Sequence, residues 1–208
     1  HEIKTGNNHY LVNHSEAKVL FADDVIWEGL EISEMPSVQV VVQINSLRIV
    51  YSRSEEMEYV RCHLNEFFGQ KYPDSFGPED LDYYGDSPDE LAIINYTSGT
   101  SGFSTGVMIP YRAIWSNMDF VKKRALPQMG RGNKVVSMLP LAHMYGLMFE
   151  FLYEMTVGMH VHFLTRVPSP KIILKAFSEI KPDVIIAVPL IIEKIYKSKL
   201  KPIIDRNK

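Results

Sequence analysis

Residues Asn95-Tyr96-Thr97-Ser98-Gly99-Thr100-Ser101-Gly102-Phe103-Ser104-Thr105-Gly106-Val107 decide the reading of this 208-residue chain. Leu91–Ile94 before them and Val107–Ile109 after them are apolar, and each predicts a buried strand. Between the strands lie glycines and a run of serine and threonine hydroxyls, a composition that builds no core. Glycine lets a backbone bend and approach an anion closely, so that successive amide N–H groups point at one oxyanion. Hydroxyls add donors with little bulk. The spacing excludes two common phosphate loops. A Walker loop needs Gly-Lys-Ser/Thr five places after its first glycine, where Gly99 is followed by Ser104 and Gly102 by Val107. The dinucleotide fingerprint Gly-x-Gly-x-x-Gly does not match glycines spaced by three and then four.

Outward from this stretch the chain alternates strand and helix patterns. Strands are expected over Ala17–Phe21, Val38–Ile44 and Leu47–Tyr51. Ser52-Arg53-Ser54-Glu55 reads as a capping box, and Met57, Val60, Leu64, Phe67 and Phe68 follow at helical spacing that predicts one buried stripe. Tyr72–Glu90, rich in Pro, Gly, Asp and Glu, reads as an exposed connection. Tyr111, Ile114, Trp115, Met118 and Val121 mark a further helix, Lys134–Met138 a strand, Phe149–Val157 a helix and Met159–Leu164 a strand. Ser169 then caps a helix with Pro170 at its first position and Ile172, Ile173, Ala176, Phe177 and Ile180 on one stripe. Val184–Val188 predicts a fully apolar strand, and Pro189 opens a last helix through Tyr196. The fold class expected is α/β, a mostly parallel sheet with helices on both faces. The organisation expected is a first βα portion over residues 1–71, an acidic connection over 72–90 and a site-bearing portion over 91–208.

Composition narrows the function. Hydrophobic residues make up 46% of the chain and the formal net charge is −3, so no basic surface argues for nucleic acid. Cys62 is the sole cysteine, which rules out an internal disulfide and a thiolate metal cluster and suits a reducing, cytoplasmic setting. Cys62 and His63 fall in a helical pattern, where packing explains them better than chemistry. No apolar run reaches the ~20 residues of a membrane-spanning helix.

A second motif, Leu139-Pro140-Leu141-Ala142-His143-Met144-Tyr145-Gly146, lies just past the strand predicted at Lys134–Met138. Ligands of open α/β sheets collect outside the carboxyl ends of strands. Together, Tyr96-Thr97-Ser98-Gly99-Thr100-Ser101-Gly102 and Leu-Pro-Leu-x-His-x-x-Gly, in this order, resemble the acyl-adenylate-forming (AMP-binding) enzymes. Lys181-Pro182-Asp183-Val184 through Val188-Pro189-Leu190-Ile191-Ile192-Glu193-Lys194, and the earlier Asn13-His14-Ser15-Glu16-Ala17, are similar to the long-chain fatty acid–CoA ligase branch.

The resemblance implies that a carboxylate attacks the α-phosphate of Mg·ATP, and that coenzyme A then takes the acyl group from acyl-AMP. It implies that Thr97, Ser98, Gly99, Thr100, Ser101, Gly102, Thr105 and Gly106 hold phosphate. His143 would be the catalytic residue that orients the carboxylate, with Met144, Leu147, Met148 and Phe151 beside the acyl chain. It implies small-molecule partners (fatty acid, ATP with Mg²⁺, coenzyme A), no nucleic acid and no metal ligands within this stretch, and it leaves peripheral membrane association open. The adenine segment, the Glu that meets Mg²⁺, the ribose-binding Asp and the C-terminal domain are expected beyond Lys208. Two departures stand out: Ser104 replaces a usual Pro, and Thr105 replaces a usual Lys, which removes a positive charge near the phosphates. A ligase for an aryl or amino acid, and a non-catalytic nucleotide- or acyl-binding module, are the alternative readings of the same sequence.

Overall fold

The protein, seen in a computed structural model, is described over residues 5–82, 85, 87–98 and 104–206. Its fold is α/β, divided into two compact units: residues 1–85 with 96–107, and residues 86–95 with 108–208.

The first unit opens with α1 (Thr5–His14), followed by β1 (Val19–Ala22), α2 (Asp24–Glu28), β2 (Val40–Gln43) and β3 (Ile49–Ser52). Asp23 caps α2 by accepting the N–H groups of Val25 and Ile26. β1 pairs with β2 in parallel and β2 with β3 antiparallel, with an irregularity between Val41 and Val42. The core is Ala22, Met35, Val38 and Val41, with Leu20, Trp27 and Tyr51 packed against it. Buried His9 ties α1 to the turn over Ile32–Glu34: Nε2 accepts the Glu31 N–H at 2.9 Å and Nδ1 lies 2.7 Å from the Glu34 carboxylate.

The next helix departs from the sequence reading. Its N-cap is Ser54, whose hydroxyl accepts the Met57 N–H at 3.2 Å; Ser52 is still in β3. The helix then breaks into α3 (Glu55–Cys62) and α4 (Leu64–Lys71). At the break His63 has φ −111° and ψ 16°, and its Nδ1 lies 2.8 Å from the Tyr59 carbonyl that its own backbone N–H also uses. The expected stripe is not buried: α3 and α4 contain no buried residue, and Phe68 is 62% exposed. Cys62 is exposed too, so helix packing does not account for it. The spacing is amphipathic, but no described element covers that face enough to bury it.

β4 (Leu91–Ser98) and β5 (Ser104–Pro110) form a two-stranded sheet. Its Tyr96–Val107 portion belongs to the first unit and the rest to the second. The second unit continues with α5 (Tyr111–Phe120), which runs into a π-helical segment over Val121–Ala125, and then β6 (Lys134–Ser137). One continuous helical run follows: α6 (Met144–Leu147), a π segment (Met148–Leu152) and α7 (Tyr153–Val157). Gly158, left-handed at φ 74°, ends it, and the Met159 N–H closes on the Glu154 carbonyl at 2.9 Å. β7 (His160–Phe163) pairs with β6 in parallel. α8 (Pro170–Ile180) has the expected Ser169 cap and buries Ile173 and Ala176. α9 (Pro189–Ile195) starts at its proline, and a π segment leads on to α10 (Lys201–Arg206). The core here is Val121, Val135, Tyr153 and Met159, and the Tyr153 hydroxyl donates to the Leu126 carbonyl at 3.0 Å.

The strand expected over Val184–Val188 is reduced to one parallel bridge, Val135 to Val184. Asp183 holds its start, accepting the Lys134 N–H at 2.7 Å. β6 then ends at Ser137, and the next two amides turn away to a carboxylate instead of to a neighbouring strand. Among the described residues no helix is long and apolar enough to cross a membrane.

Candidate functional site

The hydroxyl-rich stretch is more strand than loop in its described part. Thr97 and Ser98 end β4, and Ser104, Thr105 and Gly106 open β5, with Thr97 and Thr105 exposed. Gly99, Thr100, Ser101 and Gly102 lie outside the described residues. The first unit anchors the stretch at Tyr96, whose hydroxyl is 2.8 Å from His14 Nδ1, the two rings meeting edge-on at 5.6 Å. Burial pushes the Tyr96 phenol above its ordinary value, so it remains a neutral hydroxyl at physiological pH. Tyr10 packs on the other partner, with ring centroids 5.6 Å from His14.

In the second unit the chain leaves β6 through a tight turn. The His143 N–H donates to the Pro140 carbonyl at 3.0 Å, and the His143 carbonyl accepts the Leu147 N–H at 3.0 Å, which starts α6. The His143 side chain is exposed. Gly146 is buried against the turn, and a Cβ there would sit 2.7 Å from the Pro140 carbonyl oxygen. Only glycine lets the helix approach this closely. Asn95, the residue before Tyr96, donates its side-chain amide to the Ala142 carbonyl at 2.9 Å.

Two glutamates on the continuous helical run are fully buried, Glu150 and Glu154. Glu150 Oε2 accepts three donors from consecutive residues: the Ser137 hydroxyl at 3.2 Å, the Met138 N–H at 2.9 Å and the Leu139 N–H at 2.8 Å. Burial pushes its carboxyl above the ordinary range, and those donors hold it back. Glu154, one turn on, has no hydrogen-bond partner for either carboxylate oxygen in any other described residue. Burial, reinforced by the Glu150 charge, pushes its carboxyl up to about 7. Sequence pattern alone assigns no role to His14, Asn95, Glu150 or Glu154. The two glutamates did leave a signal: carboxylates four apart inside Phe149-Glu150-Phe151-Leu152-Tyr153-Glu154 are misplaced for a solvated face.

An apolar cavity of about 390 Å³ adjoins this helical run. Ile109, Ala113 and Ile114 line it from β5 and α5, and Met144, Met148 and Phe149 from α6 and the π segment. The volume falls within the range of small-molecule pockets. Of the residues expected near an acyl chain, Met144 and Met148 line the cavity. Leu147 is not among its lining residues, and Phe151 instead packs against Phe163 with centroids 6.1 Å apart. Among the described residues no group of three or more His, Cys, Asp and Glu is placed to hold a metal ion.

Residues 3–207 match the family model described as AMP-binding enzyme. The chain belongs to the AMP-binding enzyme family. Among curated members, it is 29% identical over 146 residues to long-chain-fatty-acid–CoA ligase 1 of Cavia porcellus, covering 65% of this chain and 20% of that protein. A long-chain-fatty-acid–CoA ligase of Homo sapiens is 25% identical over 197 residues, covering 90% and 28%. A 4-chlorobenzoate–CoA ligase of Arthrobacter is 37% identical over 65 residues, covering 31% and 12%. The chain therefore spans a quarter or so of the length of the two fatty-acid ligases it matches. The fold is that of solved adenylate-forming enzymes. A red-emitting luciferase from Phrixothrix hirtus superposes with TM-score 0.75 at 19% identity, covering all of this chain and 38% of that one. ATP-bound MatB from Rhodopseudomonas palustris superposes with TM-score 0.66 at 17% identity, covering 95% and 35%.

Two outcomes follow for this AMP-binding enzyme chain. Gly146→Ala places a Cβ against a backbone oxygen that cannot rotate away, and is expected to lower stability by about 1–3 kcal/mol in urea unfolding. Glu154 is protonated in both folded and unfolded states below pH 4.5. Between pH 4.5 and about 7 the unfolded chain releases this proton and the folded one keeps it, so stability falls as pH rises. Relative to wild type, Glu154→Met should therefore gain about 3 kcal/mol more at pH 8 than at pH 4.5. Equal gains at both pH values in urea titrations would contradict the assignment.

Proposed function

We propose that the protein carrying this chain activates a fatty acid in two steps. The acid's carboxylate oxygen attacks the α-phosphate of ATP, forming acyl-AMP as pyrophosphate leaves. The thiol of coenzyme A then attacks the acyl carbon, giving the thioester and releasing AMP. The observation that carries this reading is the second unit's turn: it presents an exposed imidazole at His143, and the next residue, Met144, already lines an apolar cavity. Family membership and the two fatty acid–CoA ligase relatives support the same assignment.

In this reading His143 orients the carboxylate, while the cavity between α5 and α6 receives the start of the acyl chain. Thr97, Ser98, Gly99, Thr100, Ser101, Gly102, Thr105 and Gly106 supply hydroxyl and amide donors to the β- and γ-phosphates. Joining an anion to a polyanion makes positioning and charge neutralisation the main tasks of such a site. Mg²⁺ bound with ATP would supply part of that neutralisation. A compact aryl acid is the alternative that the 4-chlorobenzoate–CoA ligase relative favours.

Carboxylate-dependent ATP–pyrophosphate exchange by the full-length protein, with fatty acids of graded length beside aryl and amino acids, tests the proposal. A maximum with long fatty acids is the expected result, and His143→Ala should lower it by about 10²-fold or more with ATP binding retained. A maximum with aryl acids would move the substrate, and no exchange with any acid would overturn the enzymatic reading. Thr105→Lys restores a cation beside the phosphates and is expected to tighten Mg·ATP binding by about 5–10-fold, read by nucleotide titration. An unchanged affinity would mean that the missing charge is supplied elsewhere or is not needed.

A further inference from the structure

Among the described residues the reaction as proposed leaves two fully buried glutamates without a part in it, Glu150 and Glu154, and of these Glu150 is the one that is hydrogen-bonded to its surroundings. Its three hydrogen bonds converge on a single oxygen and come from consecutive residues at the exit of β6. Two are backbone N–H groups at the point where the chain stops pairing with neighbouring strands, so they form a small anion-binding nest around the carboxylate. The residue that fills the nest lies on the same helical run that His143 begins. The segment from Leu139 to Glu150 is thereby closed into a loop by the bond from the Leu139 N–H to Glu150 Oε2, with His143 inside it. Within that loop the turn is further fixed by the His143 N–H on Pro140, by Gly146 against the Pro140 carbonyl and by Asn95 on Ala142.

We propose that Glu150 is a positioning residue for His143, setting where the imidazole stands by holding the Met138 and Leu139 amides. The inference rests on the role given to His143 above. Packing alone does not call for a carboxylate here, because apolar side chains of similar volume commonly replace buried charges without loss of stability. The second carboxylate at Glu154, which has no hydrogen-bond partner in another described residue, makes this helix face still less favourable as a plain core. What a carboxylate supplies and an apolar side chain does not is directional acceptance of two adjacent backbone N–H groups, which fixes the turn in register. Misplacing a catalytic group by about 1 Å costs on the order of 10²-fold in rate.

The test is a double-mutant cycle in the full-length protein, read by ATP–pyrophosphate exchange and by hydrogen exchange of the Met138–His143 amides. Glu150→Met should lower the maximal exchange rate by about 10²-fold with the KM for ATP unchanged. In a His143→Ala background the same change should cost less than about threefold, because its effect passes through the imidazole. The Met138 and Leu139 amides should lose protection while those of β7 keep theirs. Glu150→Gln, which keeps an acceptor oxygen at the same reach, should retain most of the rate, whereas Glu150→Asp, charged but one methylene short, should not.

An equal loss in both backgrounds, or no loss in either, overturns the proposal. If Glu150→Met does not fold, the order of the other two variants decides, and Asp outperforming Gln overturns it. If the wild-type protein shows no exchange with any acid, the proposed reaction fails separately. Amide protection then still decides: protected Met138 and Leu139 in Glu150→Met would refute the positioning role.

Discussion

Where β6 ends, the backbone leaves the sheet while still inside the protein, and its next two N–H groups need an acceptor that no strand provides. The Glu150 carboxylate is that acceptor. Unpaired buried amides cost about 1–3 kcal/mol each, so this turn is stable only with a partner of that kind. Much of the second unit's local geometry depends on the solution adopted. The carboxylate comes from the helical run that begins a few residues past the turn. It begins at Met144, close enough to Pro140 that residue 146 has to be glycine. The π segment over Met148–Leu152 carries Glu150, and Met148 and Phe149 from the same turn form the cavity wall.

This arrangement opposes stability. Two carboxylates one helical turn apart are kept out of water, and the second has no hydrogen-bond partner in another described residue. The outcome is a helix face whose energetics depend on pH, with Glu154 close to half-protonated near neutrality. Tyr153 beside it feels the same field: burial and the Glu154 charge both raise its phenol, which therefore remains a donor to Leu126.

In the first unit the anchor of the hydroxyl-rich stretch is aromatic rather than ionic. Tyr96 is held through its hydroxyl by His14 and through its ring by an edge-on contact, at the root of the segment that the family resemblance links to phosphate. Thr105 opens β5 with a hydroxyl where the resemblance leads one to expect a lysine, so a phosphate held there, as proposed, would lean on neutral donors and backbone amides. Ser104 and Gly106 on either side of it are strand residues as well, which gives this side of the stretch a regular backbone.

The amino-acid sequence by itself determined the local and periodic features. The Ser169–Pro170 start of α8, the β6 run, the proline that opens α9 and the two motifs all follow from short-range signals that carry their own physical meaning. Family membership was legible for the same reason: the glycines and hydroxyls before Val107, and the Leu-Pro-Leu-x-His-x-x-Gly run, are contiguous. Tertiary structure alone decided what depends on partners distant in the chain. The stripe from Met57 to Phe68 has the right spacing, yet burial requires a facing layer that the described residues do not supply, and His63 splits the helix. Val184–Val188 has strand composition, but composition does not provide amides to pair with, and β6 gives its next two to Glu150. A glutamate in an apolar helix reads in sequence only as an anomaly. Its meaning appears when folding brings it to Ser137, Met138 and Leu139, because a hydrogen bond is a property of two positions and a sequence lists them one at a time.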